Sequence, residues 1–340
     1  MSSPAAKIFL LFLVWYASIS LTSSSSVPDE YSFSNLDLDK LVSDQKSVPS
    51  IPNLEEGDWT RIPNLGRGDM TYEEFSKMYL HETEEPIMEI NNSKMILNDA
   101  SCPDAPSSWD WRTKGAVTYV KNQGKCGGCW AFSATGAMEG INQIVSQQLL
   151  ELSEQQLISC STSKGCEGGW YVNGFKYVIK NGGIASEKAY PYTADDSACN
   201  SAAAGNTIAT IDGYNYWSQK PISESSLRCY VYKQPVSVSI YASPHFKSYK
   251  SGIFAGDDCS GIGSCKHNHA VLIVGYGSSG DGQDYWIVKN SWGSTWGQSG
   301  YIFIKRNIGA TQGVCNINCS GAYPTKGKKE VPALKIATSI

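Results

Sequence analysis

This chain of 340 residues lacks basic tracts. Its net charge is −4 and only 18% of its residues are charged, so it offers no electrostatic footprint for nucleic acid. The small cluster Lys326, Lys328 and Lys329 reads as a solvated tail. No apolar run follows the first two dozen residues, and that first run is too short for a span, so no membrane segment is expected. There is no second C-x-x-C, and no carboxylate or cysteine pattern completes His267-x-His269. The expectation is therefore no metal and no cofactor. No internal repeat is visible, which argues against a solenoid. Histidine is scarce too, with four in the chain, so a catalytic base has few candidates.

What is present points to a secreted, processed protein. Hydrophobic residues make up 41% of the chain, enough for a sizeable core in one or two globular units. Residues 1–24 read as a signal peptide, with Lys7 before an apolar run from Ile8 to about Leu21 and serine-rich sequence after it. Eleven cysteines in the secretory pathway read mostly as disulfides, and the odd number leaves a thiol over. Asn91 and Asn318 begin N-x-S tripeptides and are candidate glycan acceptors. Residues 25–104 are acidic and polar and are broken by Pro49, Pro52 and Pro63, as in a processed prosegment. One stretch there, Met70 to Leu80, is expected to be helical, with Thr71 and Glu74 as a capping box.

A globular domain is expected over 105–325, followed by an exposed tail over 326–340. Its first half reads as helical. Ala131, Ala134, Met138, Ile141 and Val145 recur at helical spacing between Trp130 and about Gln148. Ser153 and Gln156 form a second capping-box pattern, and Trp170 to Lys180 runs to the stop Gly182-Gly183. Beyond Tyr214 the pattern turns to strands at 236–240, 270–276, 284–289 and 300–305, with one short helix at 224–232. A helical half followed by a β half predicts an α+β fold of two subdomains with a ligand crevice between them.

The run QGKCGGCWAFS delivers Cys129 to the start of a helix, where the dipole favours a thiolate. Gln123 is placed to aim an amide at an oxyanion near that sulfur. Read alone, Cys126 and Cys129 also fit a redox pair, half a zinc site or a disulfide half. A nucleophilic cysteine needs a base and an orienting group. His81 lies in the expected prosegment and His245 in a polar loop, which leaves His267 and His269. His269 stands directly before a strand, a rigid mount. Asn290 ends another strand and can fix the imidazole, with Trp292 shielding that hydrogen bond from water.

Together these segments resemble the papain-like cysteine proteases from about Pro106 to Tyr323. The segments are SWDWRTKGAV, VKNQGKCGGCWAFSATGAMEG, LSEQQLISC, GCEGG, YPY, QPVSVSI, NHAVLIVGYG, DYWIVKNSWGSTWGQSGYIFI and GVCNIN…YPTK. His269 and Asn290 follow Cys129 by 140 and 161 residues, near the family's spacing, and Gly128 departs from the family's C-G-[SA]-C-[WY] signature. The resemblance implies a papain-like two-subdomain fold, with a helical N-terminal half, a β-barrel-like C-terminal half and the active-site cleft between them. It implies a cysteine endopeptidase working through a thioester, with Cys129 as nucleophile in a thiolate–imidazolium pair with His269. Asn290 becomes the orienting residue, and Gln123 with the Cys129 N–H forms the oxyanion hole. Gly168 and Gly169 become the edge that pairs with an extended peptide. Trp170, Tyr171, Ser239, Ala270 and Ser320, with Trp292 nearby, become the substrate site, which holds no acidic residue and so implies an apolar P2 side chain. The implied disulfides are Cys126–Cys166, Cys160–Cys199 and Cys259–Cys315.

The implied partners are protein and peptide substrates, cystatin-type inhibitors and the chain's own prosegment, and the implied state is a monomer. The implied location is the secretory pathway, ending in a vacuole or lysosome-like compartment or outside the cell. Within the family the chain resembles plant enzymes, in particular a legume seed vacuolar, oil-body-associated thiol protease-like subgroup. Some members of that subgroup lack the nucleophile, so a catalytically inactive binding or storage-associated protein is the alternative, and a thiol–disulfide oxidoreductase is a more distant one. Retention of Cys129 argues for activity. The chain departs from the family in a shortened prosegment, which lacks the long inhibitory helix and keeps only a remnant motif between Asn64 and Asp69. Glu167 before the glycine pair is a second departure, expected to favour basic side chains at an outer subsite. Cys102 is expected to leave with the prosegment and Cys229 to be a buried helix residue, and Cys265–Cys319 is a further candidate bridge.

Overall fold

The structure is a computed structural model that describes residues 70–81, 93–95, 102–259 and 262–327. The expected signal peptide, the glycan acceptor Asn91, most of the expected prosegment and the tail from residue 328 lie outside the described residues.

Helix α1 (Tyr72–Tyr79) starts at the expected box. Thr71 accepts from the Glu74 backbone N–H, and the Glu74 carboxylate accepts from the Thr71 N–H. The globular part opens with helix α2 (Cys129–Ser146), ended by Gln147 in the left-handed region. Helix α3 (Glu154–Cys160) follows, then α4 (Tyr171–Asn181), closed by Gly182 at φ 75°. The second pattern forms only half of its box. Ser153 caps the Gln156 N–H, but the Gln156 side chain is buried and bonds Tyr177, Ala204 and Ala185 instead. Three short helices complete the set, α5 (Ser201–Ala204), α6 (Glu224–Lys233) and α7 (Pro244–Lys247).

The strands in chain order are β1 (Ser93–Met95), β2 (Trp109–Asp110), β3 (Ile184–Ala185), β4 (Thr207–Ala209), β5 (Gly213–Trp217), β6 (Val236–Ile240), β7 (Ile253–Phe254), β8 (His269–Ser278), β9 (Asp284–Lys289), β10 (Tyr301–Lys305) and β11 (Gly321–Thr325). β3 pairs with β4, β2 pairs with β8, and most of the large sheet runs in the order β5-β11-β6-β8-β9-β10. Ser93–Met95 adds parallel to β5 at one end, and Ile253–Phe254 parallel to β10 at the other. Among the described residues these end strands do not meet. The expected barrel-like half is therefore an open sheet, because its last strand is only two residues long and pairs on one side.

Strand β8 divides two cores. Side chains alternate across a strand, so Ala270, Leu272 and Val274 face the core built on α2 and α4 while Val271 and Ile273 face the other, and the register shift between Ile273 and Gly275 turns Tyr276 to that second core as well. Ser133 pins α2 to this strand by donating to the Val271 carbonyl at 2.8 Å, and Ser237 Oγ donates to the Ser133 carbonyl at 2.9 Å.

The expected bridges Cys126–Cys166, Cys160–Cys199 and Cys259–Cys315 are present, as is Cys265–Cys319. Cys229 is a buried residue of α6, as expected. Two other expectations are corrected. Cys102, expected to leave with the prosegment, is bonded to Cys229 across 127 residues and so is anchored to the globular body. Asn318 is buried, and its amide donates to the Thr311 carbonyl at 3.2 Å, which leaves a glycan no room in this fold.

Beneath α2 lies a buried ion cluster. Lys121 Nζ donates to Glu154 at 2.7 and 2.9 Å, lies 3.5 Å from Glu139 and donates to the Leu152 carbonyl. Burial disfavours the charged lysine, but the Glu154 and Glu139 carboxylates outweigh burial and hold it protonated. Removing one member of such a cluster strands the others without a partner. Lys121→Met is expected to lower stability by about 3–5 kcal/mol in urea unfolding, whereas Lys77→Ala, which breaks the exposed Glu73 pair, should leave the midpoint unchanged.

Candidate active site

The loop carrying Gln123 is laced to the loop after β9. The Gln123 N–H donates to the Ser291 carbonyl at 2.8 Å, Asn122 bridges Trp292, and Ser291 Oγ donates to Gln123 Oε1 at 2.7 Å. The last bond turns the amide nitrogen outward. Gln123 Nε2 donates to the Cys126 carbonyl at 3.0 Å and to the Tyr79 carbonyl at 3.3 Å. Ser291 escaped the sequence reading because an isolated serine after a strand resembles any turn residue.

Cys129 is the first residue of α2, after Gly128, and is the free cysteine among the described residues. The bridge between Cys126 and Cys166 removes the redox-pair and zinc readings. Ala270 N–H donates to Cys129 Sγ at 3.4 Å, which sets the sulfur beside the residue that follows His269. His269 Nε2 meets Asn290 Oδ1 at 2.8 Å, and Asn290 Oδ1 also accepts the Ser291 N–H at 2.8 Å. Among the described residues, His269 Nδ1 is buried without a hydrogen-bond partner. Trp292 stacks on the imidazole with centroids 4.6 Å apart, as expected of a shield. Gln123, Cys129, His269 and Asn290 thus meet where the start of α2 touches the start of β8. His245 is exposed and lies beside Asp258.

The expected substrate residues also gather. Tyr171 Oη lies 3.2 Å from Ser239 Oγ, Ser239 pairs with Ala270 across β6 and β8, and the Ser239 N–H donates to the Ser320 carbonyl at 3.0 Å. Trp170 packs on Tyr171 and Tyr216, and Gly169 lies against the Trp130 indole. All of these except Gly169 are buried.

The cleft is covered by the segment 72–81. Phe75 is fully buried, stacks on Tyr79 at 4.8 Å and stands edge-on to Trp292 at 4.9 Å. Tyr72 Oη donates to the Ala242 carbonyl at 2.6 Å, and the Lys247 ammonium lies over the Phe75 ring and donates to the Met70 carbonyl. Beyond the helix, the Tyr79 carbonyl takes the Gln123 amide and the His81 N–H donates to the Asn268 carbonyl at 3.0 Å.

This cover decides the electrostatics. Burial pushes the Cys129 thiol up to about 11, against the backbone N–H groups of Ala270, Trp130 and Cys129 that favour its thiolate. Burial also pushes the His269 imidazole down to about 4, against its bond to Asn290. Taken one group at a time, burial favours the neutral thiol and the neutral imidazole, while the attraction within a thiolate–imidazolium pair acts the other way.

A profile of the family described as "Papain family cysteine protease" matches residues 105–325. The chain is 38% identical to the "P34 probable thiol protease" of Glycine max over 367 aligned positions, covering 94% of each chain. Among solved structures, it is similar to a recombinant stem bromelain precursor, with a TM-score of 0.66, 40% identity and coverage of 76% and 80% of the two chains. It is also similar to bromelain from Ananas comosus in complex with the inhibitor E64, with a TM-score of 0.61, 44% identity and coverage of 65% and 100%.

The covered state carries a definite pH dependence. Burial lowers the pKa of His81, so the covered form binds a proton there less readily than an open one in which the ring is solvated. The covered form therefore keeps its full stability above the ordinary histidine value of 6.5 and loses stability as pH falls through the lowered value. Hydrogen exchange of the α1 amides, corrected for intrinsic pH effects, should show opening increase across that window. Opening that is flat from neutral to pH 4 would contradict the assignment.

Proposed function

The chain belongs to the papain family of cysteine proteases, and from that premise we propose that Cys129 is its nucleophile, His269 its base, Asn290 the group that orients the base, and Gln123 the side chain of its oxyanion hole. The activity is that of a cysteine endopeptidase. The observation that carries the residue assignment is the His269 Nε2–Asn290 Oδ1 bond beside a sulfur that accepts the Ala270 N–H. It leaves Nδ1 as the imidazole nitrogen free for proton exchange with the thiol.

In the uncovered cleft water returns to the thiol and imidazole, and the proton moves from Cys129 to His269 Nδ1. The thiolate attacks a peptide carbonyl carbon. The oxygen takes the electron pair and accepts from Gln123 Nε2 and the Cys129 N–H. Collapse of this intermediate breaks the C–N bond, His269 gives its proton to the departing amine, and a thioester remains. Water then attacks the thioester, giving a proton to His269, and the carboxylic acid leaves as the thiol reforms. Gly168 and Gly169 supply the backbone edge for the peptide. Trp170, Tyr171, Ser239, Ala270 and Ser320 line a site for an apolar P2 side chain.

The assignment extends to the whole chain. Residues 1–24 act as a signal peptide into the secretory pathway, and a vacuole, a lysosome-like compartment or the cell exterior is the destination. Among the described residues no helix is long and apolar enough to cross a membrane, and the five disulfides fit an oxidising compartment. Cystatin-type inhibitors are proposed as partners alongside protein substrates. Residues 70–81 act as the part of the prosegment that closes the cleft. The Cys102–Cys229 bond moves the working end of that prosegment upstream of Cys102.

Two measurements check this reading. A thiol-directed peptidyl epoxide should label the processed protein stoichiometrically at Cys129, with Cys129→Ser unlabelled and inactive. Gln123→Ala should lose about 100- to 1,000-fold in kcat with little change in KM, and Ser291→Ala should fall between it and the parent. A folded, processed protein that takes up no epoxide would overturn the endopeptidase assignment. Processing should also leave Cys102 with the mature chain, so its N-terminus should lie between residues 81 and 102. If cleavage falls after Cys102 instead, the cut segment will leave only on reduction, which paired reducing and non-reducing gels would reveal.

A further inference from the structure

The YPY run at residues 190–192 makes and breaks no bond, yet its second tyrosine holds the residue proposed as oxyanion donor. Tyr192 is buried, and its hydroxyl donates to the Gln123 carbonyl at 2.7 Å. That carbonyl also accepts the Cys126 N–H, at 3.4 Å, so the tyrosine makes the shorter bond. The Gln123 N–H is held by the Ser291 carbonyl at 2.8 Å. Both backbone polar groups of Gln123 are thus held, and from opposite halves of the fold. The loop after β9 takes the N–H, and the loop between β3 and α5 takes the carbonyl.

The hold on the carbonyl matters because the chain turns there. Gly124, the next residue, stands at φ 58°, in the left-handed region, and glycine passes between signs of φ at little cost. Without the tyrosine hydroxyl the Gln123–Gly124 peptide is able to rotate, and the Cα that carries the Gln123 side chain moves with it. Tyr192 is itself well seated. Its N–H donates to Glu187 Oε1 at 2.9 Å, and the Thr193 N–H donates to Gln155 Oε1, on α3, at 2.9 Å. Its ring stands edge-on to Phe132 at 4.9 Å, and a Cβ on Gly128 would lie 3.6 Å from its Oη. Gly128 and Phe132 flank Cys129 at the start of α2. One side chain therefore reaches both the Gln123 carbonyl and the turn that carries the Cys129 N–H.

We propose that Tyr192 is a positioning residue of the oxyanion hole, whose hydroxyl fixes the Gln123 amide relative to the Cys129 N–H. This rests on the endopeptidase reading with Gln123 as oxyanion donor, and adds to it a residue that acts through Gln123. Tyr190, two residues earlier, provides the contrast. It is also buried, but its hydroxyl accepts the Asn200 N–H at 3.0 Å and lies 3.9 Å from Cys160 Sγ, so it secures a bridged loop.

The test uses the processed protein, with rates expressed per Cys129 titrated by the peptidyl epoxide, so that only folded molecules count. Phenylalanine keeps the ring against Phe132 and removes the bond to Gln123. Tyr192→Phe should therefore lower kcat about tenfold with KM little changed, whereas Tyr190→Phe should lower the urea midpoint and leave kcat at the parent value. A peptidyl aldehyde forms an adduct with the thiol whose oxygen sits at the oxyanion donors, and it should bind Tyr192→Phe about tenfold more weakly. The rate of epoxide alkylation, which opens a ring and forms no carbonyl adduct, should not change. In a Gln123→Ala background Tyr192→Phe should cost nothing further in kcat, because the donor it positions is gone. An undiminished kcat in Tyr192→Phe, or the same loss with and without Gln123, overturns the proposal and leaves the endopeptidase reading intact. If Gln123→Ala itself keeps the parent kcat, the oxyanion assignment fails and the role of Tyr192 falls with it. A parent that takes up no epoxide brings down the endopeptidase reading as a whole, and this role with it.

Discussion

The contact on which this molecule depends lies between the first turn of one helix and the first residues of one strand. Ala270 N–H reaches the Cys129 sulfur, and one helical turn later Ser133 is bound to the Val271 carbonyl. Neither half of the molecule can make the site alone. The helical half supplies a thiol at a helix N-terminus, and the sheet supplies an imidazole at the edge of its most buried strand. β8 can do this because it is covered on both faces, so its backbone is fixed by two cores rather than one. The side chains around the pair extend that rigidity. Asn290 holds the imidazole, Ser291 holds Gln123, and both come from one loop, so His269 and Gln123 are aligned by the same backbone.

The same geometry is compatible with two electrostatic states, and water decides between them. Under α1, burial outweighs the helix N-terminus and the backbone donors at Cys129, and the Asn290 bond at His269. On the proposed assignment, latency needs no distortion of these groups, only a cover that removes solvent and engages the Gln123 amide, as Phe75 and the Tyr79 carbonyl do. The eight-residue helix is held there by aromatic stacking, a lysine over a ring and a tyrosine hydroxyl rather than by its own stability. Isolated helices of this length are marginal in water.

Much of this was legible in the sequence, and the parts that were not share a reason. Local signals read well. The Thr71–Glu74 box, the Gly182 stop and the alternation along Val236–Ile240 each depend on a few neighbouring residues. The Gln156 side chain did not follow its local pattern, because a buried backbone N–H at Ala185 and groups on two other elements outcompeted the second half of the box. Cys102–Cys229 closes a loop of 127 residues, and pairing at such a distance leaves no mark in local composition. The tripeptide at Asn318 is a pattern of three residues, whereas its closure depends on a strand junction that buries the amide. The open sheet likewise depends on how short the strand Ile253–Phe254 turned out to be, which β propensity does not fix. Cys129, His269 and Asn290 were readable together because their residue types, their order and their seats at element ends constrain one another. Ser291 had no such partner in the sequence.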